Sequence, residues 1–233
     1  MNTTITTQDG TIGGYLAVPQ PEVAGESPWP GVVVVHDALG MSDDVRTIAE
    51  RFATAGYVAV VPNLYSRGGF ARCVRSVFRE MLAGTGRAHD DIDAARAMLA
   101  ERADCTGKVG VAGFCLGGGF ALLAATREFD ASAPYYGPLP SDLSILDGAC
   151  PIVASYGGRD FGLKGAAGRL EAQLTESGVP HDVREYPAAG HSFANRLGGP
   201  LNALLRVPGM AYHHESSEDA WRRVMSFFAE HVR

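Results

Sequence analysis

Lys108-Val109-Gly110-Val111-Ala112-Gly113-Phe114-Cys115-Leu116-Gly117-Gly118 is the stretch on which the fold turns. Lys108–Ala112 reads as a buried strand, and Gly117–Thr126 as a helix. Between them stands Gly113-x-Cys115-x-Gly117, a nucleophile elbow with sulfur in place of the more usual serine. A turn this sharp strains the backbone of its central residue and leaves no room for side chains two positions away, hence the flanking glycines. The helix that follows aims its N-terminal amides at the sulfur, and the Leu116 amide is placed to donate to an oxyanion. A buried cysteine in a glycine-rich packing turn is the competing reading, and the strand–turn–helix setting favours a nucleophile.

Working outward, Gly31–His36 holds four consecutive valines, as in a strand buried on both faces of a parallel sheet. Ser42 is placed to cap a helix with Asp43 and Asp44 in its first turn. Val45, Ile48 and Phe52 share one face of that helix, and Gly56 ends it. Further strands are expected at Thr11–Pro19, Tyr57–Val61, Ala131–Tyr136, Pro151–Tyr156 and Asp182–Tyr186. Helices are expected at Asp90–Ala100, around Ala167, Leu170 and Leu174 (ended by Gly178), and from Ser216. There Asp219 completes a capping-box-like start, and Trp221, Val224 and Phe228 form the buried face. Strands alternating with helices of about 10–15 residues imply an α/β fold, a mostly parallel central sheet with helices on both faces.

In such a sheet the chain order is nucleophile, acid, base, on loops at the carboxyl ends of strands. Asp160 in Gly157-Gly158-Arg159-Asp160 and His191 in Ala189-Gly190-His191-Ser192 satisfy it. The histidine would take the thiol proton, and the carboxylate would fix its tautomer. His36 is the rival base, because it ends the first buried strand; loop shaping is its alternative role.

The whole chain is consistent with one domain over residues 1–233, since α/β units of this length commonly fold as one. A hydrophobic fraction of 46% with 20% charged residues excludes general disorder. A net charge of −6 argues against a nucleic-acid partner. The four cysteines form no CxxC pair and no zinc-binding pattern, so no metal is expected. The uncharged stretch Val109–Ala125 carries five glycines and falls short of the ~20 residues of a membrane span. A polar N-terminus without signal-peptide order points to the cytoplasm.

The chain resembles the dienelactone hydrolase family of the α/β-hydrolases. The resemblance runs from the Val32–Val35 strand to the last helix. It rests on Gly113–Gly118, the Asp160 loop, Ala189-Gly190-His191-Ser192-Phe193 and Tyr135-Tyr136-Gly137. It implies hydrolysis of small esters or lactones by a Cys115–Asp160–His191 triad, without a cofactor. It further implies a carboxylate beside the resting thiol, here Asp37, where the best-known members have glutamate, and a second oxyanion amide at Ala38. Substrate contacts fall on Arg67, Arg72, Tyr136, Ser192 and Arg196. Asn195 occupies the place where family members that take dienelactone have one of their arginines, with Arg196 displaced by one. A monomer is the expected state, with a dimer as the alternative. Two other readings compete: a hydrolase-fold binding protein without useful turnover, and a redox-sensing thiol. Ser192–Ser217 is long for a connection and is expected to cover the site.

Overall fold

The structure is a computed structural model that describes residues 1–196 and 211–232. Its elements in chain order are β1 (Asn2–Thr7), β2 (Gly10–Ala17), α1 (Pro21–Ala24), β3 (Trp29–Val35), α2 (Asp43–Thr54), β4 (Val58–Pro62), α3 (Phe70–Ala83), α4 (Arg87–Ala100), β5 (Cys105–Phe114), α5 (Leu116–Ala124), β6 (Ala131–Tyr135), β7 (Ile152–Gly157), α6 (Ala166–Glu176), β8 (His181–Tyr186) and α7 (His214–His231). The strands form one eight-stranded sheet in the order β1-β2-β4-β3-β5-β6-β7-β8. From β4 through β8 the pairings are parallel, whereas β1–β2 and β2–β4 are antiparallel.

Strand alternation sorts the valines of β3 onto opposite faces. Val32 and Val34 pack with Ile48 and Phe52 of α2 and with Val224 and Phe228 of α7. Val33 and Val35 pack with Ile92 and Leu99 of α4 and Phe120 of α5. Each such side chain, removed from water on both sides of the sheet, stabilises the fold by about 1.5–3 kcal/mol. A third cluster joins Ile152, Ala154 and Tyr156 of β7 to Leu170 and Leu174 of α6.

Several expectations are met closely. The Ser42 hydroxyl accepts the Val45 amide (3.3 Å) and opens α2. Gly56 and Gly178 take left-handed φ values of 88° and 69° just past α2 and α6. Others need correction. The last helix begins at His214, two residues before Ser216: the His213 side chain caps it by accepting the Ser216 amide, and Ser216 is buried inside the first turn. Asp219 caps nothing; its carboxylate takes Arg184 and Tyr186 of β8. β5 is longer than expected and runs up to Phe114, the neighbour of Cys115. Residues 197–210 of the long connection after His191 lie outside the described residues.

Candidate active site

The parallel strands deliver the chemistry to one end of the sheet. β3 and β5 pair with Val35 opposite Gly113, so His36 and Cys115 leave the sheet side by side. The elbow is held by backbone crowding. A Cβ on Gly113 would stand 1.9 Å from the Gly117 carbonyl oxygen, and one on Gly117 would stand 2.2 Å from that of Val35. Cys115 itself sits at φ 54° and ψ −115°, a strained conformation for a residue with a side chain. Leu116 is the first residue of α5, where an amide has no intrahelical acceptor.

Asp160 follows β7 and His191 follows β8. The two loops are tied by Arg159 N–H donating to the Ala189 carbonyl (2.9 Å) and Gly158 N–H to that of Tyr186 (2.9 Å). His191 Nδ1 lies 2.6 Å from Asp160 Oδ2, and its Nε2 lies 3.0 Å from Cys115 Sγ. The other Asp160 oxygen accepts the Gly162 amide (3.0 Å), which orients the carboxylate. Burial opposes charge on His191, but the hydrogen bonds to Asp160 and Cys115 outweigh it and push its pKa up to about 10. The ring is bracketed by a carboxylate and a sulfur, both of which favour its charged form.

Backbone strain marks the same place. Among the described residues, three non-glycine residues have positive φ: Cys115, Tyr136 (38°) and Ser192 (62°). Ser192 adjoins His191, and the Tyr136 ring centroid is 5.2 Å from that of His191. Such outliers persist only where surrounding structure over-determines them, and they cluster at functional sites.

A family model described as the dienelactone hydrolase family matches residues 12–232. The chain belongs to the dienelactone hydrolase family. A "Putative carboxymethylenebutenolidase" of Yersinia pestis is 29% identical over 98% of this chain and 87% of its own length. A protein of the same name from Methylorubrum extorquens is 30% identical over 96% and 78%. The crystal structure of a "Putative Dienelactone Hydrolase" from Klebsiella pneumoniae superposes with a TM-score of 0.80 at 26% identity, covering 99% of this chain and 98% of that one. A dienelactone hydrolase-like promiscuous phosphotriesterase from metagenomic libraries shares the fold, with a TM-score of 0.82 at 22% identity.

Within this dienelactone hydrolase-family site, the other expected residues fare unevenly. Asp37 is buried beside the site, and one of its oxygens accepts the Leu39 amide (2.8 Å). Burial raises its pKa; the Leu39 amide opposes this, Asp44 adds to it, and His191 counters it. No hydrogen bond joins Asp37 to Cys115 among the described residues. Tyr136 is fully buried, and its hydroxyl donates to Asn195 Oδ1 (2.5 Å). Asn195 in turn donates to Asp44 at the start of α2 (2.7 Å), bracing the His191 loop. That bracing role was not readable from sequence.

The arginines do not converge on Cys115. Both terminal nitrogens of Arg67 bond the buried Asp91 carboxylate (2.5 and 2.9 Å), and one also reaches Thr7. This fork-to-fork ion pair holds α4 against the loop after β4. Arg196 is exposed, stacks on Tyr212 and donates to its hydroxyl (2.8 Å). Arg72 is exposed on α3, where it lines a groove with Val74, Arg75, Phe78 and Arg79. His36 is no rival base, because both its ring nitrogens are engaged by backbone. A groove of 910 Å³ between β1 and α4 lies away from Cys115, and its Arg96 and Arg127 are paired with Glu128 and Asp93. The site is therefore placed by the Cys115–His191–Asp160 relay and not by cavity size. Among the described residues no helix is long and apolar enough to cross a membrane, and no metal-holding cluster is found.

Proposed function

We propose that this chain hydrolyses small esters or lactones through a thioester on Cys115. The observation that carries the reading is the continuous relay from Asp160 through His191 to a sulfur on a strained elbow. In the resting state the sulfur is paired with the His191 imidazolium. Sγ attacks the substrate carbonyl carbon, and the carbonyl π pair moves onto oxygen. The amides of Leu116 and Ala38 receive that oxyanion. Collapse expels the alcohol oxygen, which takes the Nε2 proton of His191, and a thioester remains. A water then gives a proton to His191 and attacks the thioester carbonyl. The second collapse returns the electron pair to sulfur and releases the acid. Asp160 holds the imidazole in register throughout and stabilises its charged form. Asp37 stands near enough to influence the resting pair electrostatically, and Ser192 and Tyr136 shape the wall behind His191.

All four cysteines are free, which supports residence in a reducing compartment such as the cytoplasm. The test is intact-mass detection of the acyl adduct after mixing with an activated aryl ester. Wild type is expected to gain one acyl group on Cys115. The Cys115→Ala variant should gain none, keep its fold by circular dichroism, and lose turnover by at least about a thousandfold. Undiminished turnover in that variant would overturn the reading.

A further inference from the structure

The loop after β3 holds two consecutive peptide groups, and they are treated differently. The second, Ala38–Leu39, is occupied at both ends. Its carbonyl accepts the Tyr65 hydroxyl (3.1 Å), and its N–H donates to Asp37 Oδ1 (2.8 Å). The first, Asp37–Ala38, is held at its carbonyl alone. Among the described residues nothing accepts the Ala38 N–H. Two donors meet that carbonyl: the Gly40 N–H of the turn (3.2 Å) and, closer, the ring of His36, which is fully buried at the end of β3 and unused in the hydrolytic relay.

The two bonds to the His36 ring define its state. A carbonyl can only accept, so Nδ1 donates to the Asp37 oxygen (2.7 Å). A backbone amide can only donate, so Nε2 accepts from Leu64 N–H (3.2 Å). The ring is thus a neutral Nδ1–H tautomer. Burial, which lowers its pKa to about 4 despite the opposing backbone hydrogen bonds, keeps it so at neutral pH. The Tyr65 ring packs edge-on against it, with centroids 4.9 Å apart. The Asp37 carbonyl and the Ala38 N–H are two ends of one planar trans peptide, so they point in opposite directions. Fixing the first aims the second. A hydrogen bond on the carbonyl also polarises the unit and strengthens the N–H as a donor. The elbow lies directly alongside: a Cβ on Gly117 would stand 2.6 Å from the His36 carbonyl oxygen.

We propose that His36 is a positioning residue: by holding the Asp37 carbonyl it aims the Ala38 amide at the substrate oxygen beside Cys115. This rests on the thioester reading above, in which that amide receives the oxyanion. Two amide substitutions separate the ring's two bonds. His36→Asn can keep a donor where Nδ1 stands, whereas His36→Gln reaches the Nε2 position and gives up that donor. Two reactions of Cys115 separate aim from reactivity. Acylation by p-nitrophenyl acetate develops an oxyanion; alkylation by iodoacetamide does not.

His36→Gln is expected to slow acylation about tenfold to a hundredfold, as kcat and not KM, with alkylation within about twofold of wild type. His36→Asn is expected to acylate within about threefold of wild type. Equal acylation by the two variants, or acylation and alkylation falling in parallel, would overturn the proposal. Nitrogen-15 NMR of the unsubstituted protein gives a readout that no variant's folding can spoil. It should find His36 neutral with its proton on Nδ1 from pH 5.5 to 8, and an Nε2–H tautomer would overturn the proposal. If wild type forms no acyl adduct at all, the thioester reading fails, while the tautomer result still judges the arrangement around Ala38.

Discussion

His191 carries the clearest electrostatic signature in the molecule, and its consequence runs with pH in a definite direction. Its folded pKa, about 10, lies above the ordinary imidazole value of about 6.5. A raised cationic pKa stabilises the fold fully below the unfolded value, and that stabilisation drains away as pH climbs through the folded one. Asp160→Asn removes the charged acceptor that holds it there. The stability gap between wild type and Asp160→Asn should therefore be widest near pH 6 and shrink between about pH 6.5 and 10, as followed by urea denaturation at each pH. The same variant should lose about a hundredfold to ten-thousandfold in kcat, since an amide no longer enforces the tautomer. A gap that widened with pH would contradict this account of His191.

At the scale of elements, the junction of β5 with α5 depends on backbone contact. Gly117→Ala would drive a methyl into the carbonyls of Val35 and His36, neither of which is a flexible side-chain end. We expect it to abolish folding or to destabilise by more than about 3 kcal/mol. Gly168→Ala is the control: it lies within α6, and a Cβ there meets nothing within 4 Å. It should stabilise by about 0.5–1 kcal/mol, read as a higher denaturation midpoint. Local composition carried this junction into view, because a tight turn from an apolar strand into a helix demands glycines two positions either side of its cysteine. The same local logic placed Asp160 and His191 on loops that the structure brings together. It was blind to β1, where Ile5 alone of the six residues is buried and the other inward positions carry Thr3 and Thr7 in place of apolar side chains. It was blind to α3 as well, whose N-cap is Gly69 without a side-chain cap and whose outer face exposes Phe78 and Leu82. The partner of Arg67 was hidden for a related reason. A guanidinium's partner can lie far along the chain, as Asp91 does, and local pattern does not report it.

The whole molecule is a sheet clamped between helices, and α7 closes the face that carries α2. Phe228 sits fully buried against Phe52 and Tyr57, so close to the sheet that Gly110 beneath it has no room for a Cβ. Phe228→Ala should cost about 3–5 kcal/mol in a two-state urea melt. Beside it, Arg223 of α7 reaches Asp182, Ser155 and Tyr186, fastening the helix to β7 and β8. Those two strands, with β5 and β3, each end in one part of the proposed reacting assembly. Strand pairing moves in whole residues, and a slip by one would turn every side chain to the opposite face. Sulfur, imidazole, carboxylate and amide therefore meet together or not at all, with no graded approach between. In a refolded sample, the fraction of active molecules would count the chains whose four strands have all found their neighbours, making turnover a census of correct sheet assembly.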